Sequence, residues 1–282
     1  MADSDSPSSL WSGVARWGRA VLIRLSVVVV VFLVGAGGVW LIARAAIPFA
    51  SPTTTDIPAL RIEPADVEPG STAPVKDNDI GPLREDAADT GVSTLTEWAE
   101  HLAPAVGIPA RAMTAYGNAE LVMRDEAPEC RLSWVTIAGI GRIESDHGRH
   151  GGAVLGDDGR PSPPIIGIPL DGSPGVREIR DTDGGVLDGD RKYDRAVGPM
   201  QFIPTTWKLY GVDASGDGKA DPQQIDDAAL ATARYLCDHG RDMATGQGWW
   251  DGVLSYNHSV EYGRKVFALA EHYAELAQSF TG

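Results

Sequence analysis

Residues 25–43 form an apolar run broken only by Ser26 and scattered glycines, with Val27 through Val31 consecutive and Trp40 near its end. A helix needs about 20 such residues to cross a ~30 Å hydrocarbon core, so residues 25–45 are expected to be a transmembrane anchor. Arg16, Arg19 and Arg24 precede the run and only Arg44 closely follows it. That asymmetry places residues 1–24 in the cytoplasm and everything after Ala45 outside. The alternative is a cleaved signal peptide, with Ala43-Arg44-Ala45 as a small-x-small cleavage site, which would make the protein secreted. An apolar run longer than the usual ~7–15-residue signal core favours the anchor. On this reading the protein is a single-pass protein of the cell membrane, with its bulk outside the cytoplasm.

Export frames the rest of the composition. The formal net charge of −15 describes an acidic body with no basic patch, so no nucleic-acid partner is expected. The two cysteines, Cys130 and Cys237, both fall in the exported part, where oxidation is permitted. Neither has a second Cys or His at the short spacings of zinc sites. A disulfide between them would close a loop of about a hundred residues, for which the chain-entropy model gives ~4–5 kcal/mol. Two separate buried thiols is the other reading.

From 46 to 92 the chain is dense in Pro, Asp, Ser and Thr, with Pro48, Pro52, Pro58, Pro64, Pro69, Pro74 and Pro82 recurring without period. This composition predicts a disordered stalk. Residues 93–282 predict one mainly α domain. Leu95, Trp98, Ala99, Leu102 and Val106 mark one helical face after Ser93 as N-cap; Ala112, Met113, Tyr116 and Ala119 mark the next, with Pro109 at its start. Ile225, Ala228, Ala229, Thr232, Ala233 and Leu236 keep the same period, as do Tyr262, Val266, Leu269, Ala270, Tyr273, Leu276 and Phe280. No comparable run alternates with period two. Over 149–196 the pattern stops in a long Gly-, Pro- and Asp-rich loop insertion, whose acidic stretch 181–190 reads as solvated rather than as a cation site.

The stretch Gly-Ile-Gly-Arg-Ile-Glu-Ser-Asp-His-Gly over 139–148 concentrates the chemistry. Leu132, Val135, Ile140 and Ile143 lie at roughly helical spacing, which sets Glu144 at a helix C-terminus. The negative end of the helix dipole and burial both disfavour the charged carboxylate. A carboxyl kept partly protonated near neutral pH suits a general acid. Asp146 lies two residues on, so on a helix it would point elsewhere, and no local partner completes the carboxylate pair that ordinary glycosidases use.

Glu144-Ser145-x-x-Gly148, then Gly198-x-x-Gln201-Phe202 after Ala196-Val197, then Tyr256-Asn257, resembles in order the motifs of bacterial lytic murein transglycosylases. The resemblance is to the membrane-bound transglycosylase B type and its actinobacterial relatives, and it covers about residues 93–275. It implies a lysozyme-like transglycosylase domain in which Glu144 is the catalytic acid and then base. Ser145, Gln201, Tyr256, Asn257 and Tyr262 would lie on the substrate side, and the partner would be peptidoglycan glycan strands. The bond cleaved would be that between N-acetylmuramic acid and N-acetylglucosamine, leaving a 1,6-anhydro end. The anchor, stalk and insertion depart from the lipid-anchored enzyme of that type. Phe202 and Trp207 read as core.

Asp213-Ala-Ser-Gly-Asp-Gly-Lys-Ala-Asp-Pro-Gln-Gln-Ile-Asp-Asp227 places oxygens at positions 1, 3 and 5 of an EF-hand-like loop and Gly218 at position 6. Gln224 stands where the bidentate Glu of a standard loop belongs. The resemblance implies a longer loop closed by Asp227, with a structural Ca2+ held by Asp213, Ser215, Asp217, the Lys219 carbonyl and Asp227. No organic cofactor is expected. Two other functions remain: a muramidase-type hydrolase on the same fold, and a non-catalytic cell-wall-binding protein beside wall-synthesis or division proteins.

Overall fold

Apolar residues at helical spacing dominate the C-terminal two thirds of the chain, and the computed structural model is correspondingly mainly α there. It describes residues 62–74 and 92–281. The tail over 1–24, the anchor over 25–45 and the remainder of the stalk lie outside the described residues. Among the described residues no helix is long and apolar enough to cross a membrane.

The helices are α1 (Val92–Val106), α2 (Ala110–Glu126), α3 (Trp134–Ser145), α4 (Pro204–Tyr210), α5 (Ile225–Cys237), α6 (Gly246–Tyr256) and α7 (Val260–Thr281). α2 packs along α5 and α3 along α7, with α1 against both α2 and α7. Trp134, Trp249, Trp250, Tyr116, Met113, Ile137 and Ile140 are fully buried between them. α3 runs through the middle of this core: ten of its twelve residues are buried. No side chain of its own caps its N-terminus. The cap comes from α2, where buried Glu120, paired with Arg124, accepts the backbone N–H of Trp134 at 2.6 Å.

Cys130, in a single 3-10 turn (Pro128–Cys130), and Cys237, at the end of α5, form a disulfide with Cα atoms 5.5 Å apart. It ties the approach to α3 to the end of α5, across 107 residues of chain.

The structure departs from the sequence reading in three places. Residues 62–74, expected to be disordered stalk, pack on the domain. Ala73 is buried, and Ile62, Ala65 and Val67 lie against the core. Ala65 N–H donates to the Arg264 carbonyl, and Arg264 Nε donates to the Val67 carbonyl. Gly246 makes room for this segment, since a Cβ there would meet the Gly70 carbonyl at 2.5 Å and the Thr72 amide at 2.6 Å.

The second departure is the insertion over 149–196, which is ordered rather than a plain loop. β1 (Val154–Leu155) pairs antiparallel with β2 (Pro161–Ser162), and β3 (Ile166–Pro169) with β4 (Arg195–Val197) in the register Ile166↔Val197 and Pro169↔Arg195. Strands of two to four residues show no readable alternation. Asp side chains hold much of the rest: Asp181 Oδ1 accepts the amides of Asp183, Gly184 and Gly185, and Asp194 those of Thr182 and its hydroxyl. The third departure is α6, a helix that the glycines at 246, 248 and 252 conceal.

Candidate active site

Glu144 is the penultimate residue of α3 and only 4% exposed. Burial pushes its carboxyl up to about 8, against the opposing hydrogen bond from Tyr262. The Tyr262 hydroxyl, on the first turn of α7, donates to Oε1 at 2.7 Å. Oε2 is buried and has no hydrogen-bond partner. With Oε1 already accepting, the proton of the neutral acid belongs on Oε2.

The chain leaves α3 through two consecutive left-handed residues, Asp146 (φ 52°) and His147 (φ 58°), and then Gly148. Non-glycine residues are held there only when their surroundings over-determine them. Here they do. His147 is buried between Tyr116, 3.1 Å from Nδ1, and Tyr273, 3.3 Å from Nε2, and burial holds its imidazole well below the ordinary range. Asp146 turns outward to Arg142 and Arg149. Ser145 Oγ accepts the Gly148 amide at 2.8 Å and donates to the Pro199 carbonyl at 2.6 Å.

That last bond joins the end of α3 to the turn that carries Gln201. Gly198 (φ 78°) leaves no room for a side chain, because a Cβ would strike the Pro222 carbonyl. Gln201, itself left-handed at φ 51°, donates from Nε2 to the Gly198 carbonyl at 2.9 Å. Tyr256, at the end of α6, donates to the Met200 carbonyl at 2.6 Å, which fixes the same turn from the other side.

Glu144, Gln201 and Tyr256 line one cleft, which encloses about 610 Å³ with the solvent at its mouth included. Ala196, Phe202, Ile203 and Thr206 line it from β4 to α4, and Tyr235, Ser255 and His258 from α5, α6 and the turn that follows. Arg177 reaches it from the insertion. Among the described residues that line this cleft, Glu144 is the single carboxylate.

A family model described as "Transglycosylase SLT domain" matches residues 192–253. No curated protein matches the chain. Among solved structures it is similar to the Escherichia coli lytic transglycosylase Slt35 in complex with bulgecin A, at 14% identity and a TM-score of 0.40, over 68% of this chain and 80% of that one. It is also similar to SltB3 from Pseudomonas aeruginosa in complex with NAG-anhNAM-pentapeptide, at 17% identity and a TM-score of 0.32, over 77% and 72% of the two chains. Both TM-scores lie below 0.5.

The family match spans the Gln201 turn, α4, α5 and most of α6, while Glu144 and Tyr262 come from α3 and α7 outside it. Of the residues expected on the substrate side, Gln201 and Tyr256 line the cleft. Tyr262 lies behind the acid. Ser145 and Asn257 are buried and do not line it; Asn257 Oδ1 accepts the Ser259 amide and shapes the turn from α6 to α7. Phe202, expected in the core, is core on one side and cleft wall on the other. Sequence reasoning missed Thr206, Tyr235, Ser255, His258 and Arg177. His258 follows Tyr256-Asn257 directly and was within reach of that motif; Arg177 carries no local signal.

The loop from Asp213 to Asp227 joins α4 to α5. Its donor set is all oxygen, which suits a hard cation. Asp227 is fully buried and turns both oxygens into the loop: Oδ1 accepts the amides of Ala214 and Ser215, and Oδ2 that of Asp221. Asp213 accepts the amides of Gly216 and Gly218, and Asp217 pairs with Arg160 of the insertion at 2.8 Å. Gln224, which broke the standard pattern at position 12, has a separate duty: its Oε1 caps α5 by accepting the amides of Asp226 and Asp227. The single trio of acidic groups with oxygens within 4.8 Å of one another, among the described residues, is Asp181, Asp183 and Asp194.

Proposed function

We propose that the protein is a peptidoglycan lytic transglycosylase with a lysozyme-like catalytic domain, in which Glu144 acts first as acid and then as base. The observation that carries this reading is the state of Glu144: buried, raised to about 8, one oxygen fixed by Tyr262 and the other unpartnered at the cleft. At neutral pH the carboxyl is protonated and Oε2 offers its proton to the glycosidic oxygen of the bond between N-acetylmuramic acid and N-acetylglucosamine. The C1–O bond breaks, the proton leaves with the N-acetylglucosamine hydroxyl, and the acetamido group of the muramic acid stabilises the cationic C1. Glu144, now a carboxylate, takes the proton of the muramic 6-hydroxyl as that oxygen bonds C1. The acid is regenerated, no water is consumed, and a 1,6-anhydro end results. Tyr262 steadies the carboxylate between the two steps.

Mass spectrometry of peptidoglycan digested by the full-length protein tests this. Anhydro-muropeptides are expected. Reducing muramic ends would instead establish the muramidase reading, and an undigested wall the binding-protein one.

The Asp213–Asp227 loop takes a structural Ca2+ through Asp213, Ser215, Asp217, the Lys219 carbonyl and Asp227, with Arg160 giving up Asp217. Supporting it are the all-oxygen donor set and the buried, inward-turned Asp227. Millimolar calcium should raise Tm in the wild type and not in Asp217→Ala; an identical wild-type melt with calcium and with chelator removes the proposal. Residues 25–45 anchor the protein in the cell membrane, supported by the apolar run and its flanking arginines. The protein should stay with membranes through an alkaline wash, and release into the soluble fraction would favour a cleaved signal instead.

A further inference from the structure

The insertion contributes one charged residue to the cleft, Arg177, beside Ala196 at its end. Arg177 stands on a hairpin-like excursion of the insertion, closed by the Asp171↔Glu178 bridge and the Ile179 amide donating to the Leu170 carbonyl, and its side chain lines the same cleft as Glu144 and Gln201. Many other described arginines on this acidic chain are claimed by carboxylates, among them Arg111 by Asp226, Arg131 by Asp242, Arg195 by Asp190 and Arg234 by Glu126, and Arg191, which has no carboxylate partner, lies away from the Glu144 cleft. The neighbour of Arg177, Glu178, is itself taken by Arg180. Among the described residues Arg177 has no hydrogen-bond or ion-pair partner, although the chain carries 39 Asp and Glu against 24 Lys and Arg. An exposed guanidinium at a cleft mouth, left unneutralised where carboxylates are in excess, is available to an anion from outside.

We infer that Arg177 is the anion-reading residue of the cleft, pairing with a carboxylate carried on the 3-substituent of the muramic acid. The inference rests on the glycan reading above and adds a substrate preference to it: carboxylate-bearing strands over neutral chitin-type glycans. Two sources share that chemistry, the carboxylates of the peptide stem and the lactyl carboxylate exposed when the stem is removed. Guanidinium suits either, since its planar fork matches a carboxylate with two parallel bonds. The insertion would then be a specificity element fitted over a common catalytic cleft.

The test measures binding in the full-length protein with Glu144→Gln, so that strands are not consumed, with and without Arg177→Gln. Three probes are compared: strands with stems, amidase-stripped strands and chitin oligomers. A charge-assisted hydrogen bond at an exposed site corresponds to about five- to tenfold in Kd at low salt, fading as salt screens it. Arg177→Gln should weaken one or both anionic probes by that factor and leave chitin oligomers unchanged, with Arg177→Lys restoring part of the loss. The probe affected identifies the source. Equal affinity of the two proteins for every probe, or an equal loss on neutral and anionic probes, overturns the inference while leaving the glycan reading intact. Failure of the Glu144→Gln protein to bind any of the three removes both.

Discussion

Replacing Glu144 with Gln should make the protein more stable at neutral pH while removing nearly all of its activity. The carboxyl has an ordinary value of 4.5 and is pushed up to about 8 by burial in the fold. Between those values the folded state holds a proton that the unfolded state has released, so stability falls as pH rises. Each pH unit in that window is worth about 1.4 kcal/mol, which makes keeping the acid protonated at pH 7 cost about 3 kcal/mol. Below the unfolded value the contribution is fully present; above about pH 8 no more is lost. Gln keeps the shape, accepts the Tyr262 hydrogen bond and has no proton to hold. Allowing for relaxation around the site, a gain of about 1–3 kcal/mol is expected at pH 7, or roughly 3–10 °C in Tm for a domain of this size. Turnover should drop by at least the 10²–10⁴ of a general acid or base. Denaturant titrations of both proteins from pH 4 to 9 give the answer. The curves should converge near pH 4 and part steadily up to pH 8. Curves that run parallel throughout, or a less stable variant at pH 7, would refute the argument that burial sets the state of this acid.

Tyr262→Phe removes the one hydrogen bond that favours the carboxylate, so the alkaline limb of the pH–rate profile should move to higher pH and kcat should fall; an unmoved limb means that the bond does not tune the acid. Loss of the Cys130–Cys237 bridge, in Cys130→Ala or under reductant, should cost about 2–5 kcal/mol by urea titration, and an unchanged midpoint contradicts a stabilising role. Gly246→Ala should displace residues 62–74, read as faster proteolysis near Pro69-Gly70 with a loss of about 1–3 kcal/mol; wild-type protection would show that the close approach does not hold the segment.

The sequence by itself determined the helical periods and where the candidate acid falls in them. Glu144 at a helix end, the Gly198–Gln201 turn and the long amphipathic helix with Tyr262 were all legible, because 3.6-residue spacing and glycine punctuation are local properties. What only the tertiary structure decided depends on contacts between parts distant in the chain. Nothing near Ser145 in sequence announces that its hydroxyl will tie α3 to the Pro199 carbonyl, so a motif serine became a brace. Residues 62–74 carry few apolar side chains and read as a linker, but the ledge along α6 and α7 that receives them exists only once those helices are packed. The glycines that hid α6 lower helix propensity locally, and one of them, Gly246, is there for the close approach of that segment. Arg177 is the extreme case: an exposed arginine in a Gly- and Pro-rich insertion, it acquires a cleft to line only through the pairing of β3 with β4, which brings the insertion back beside the Gln201 turn.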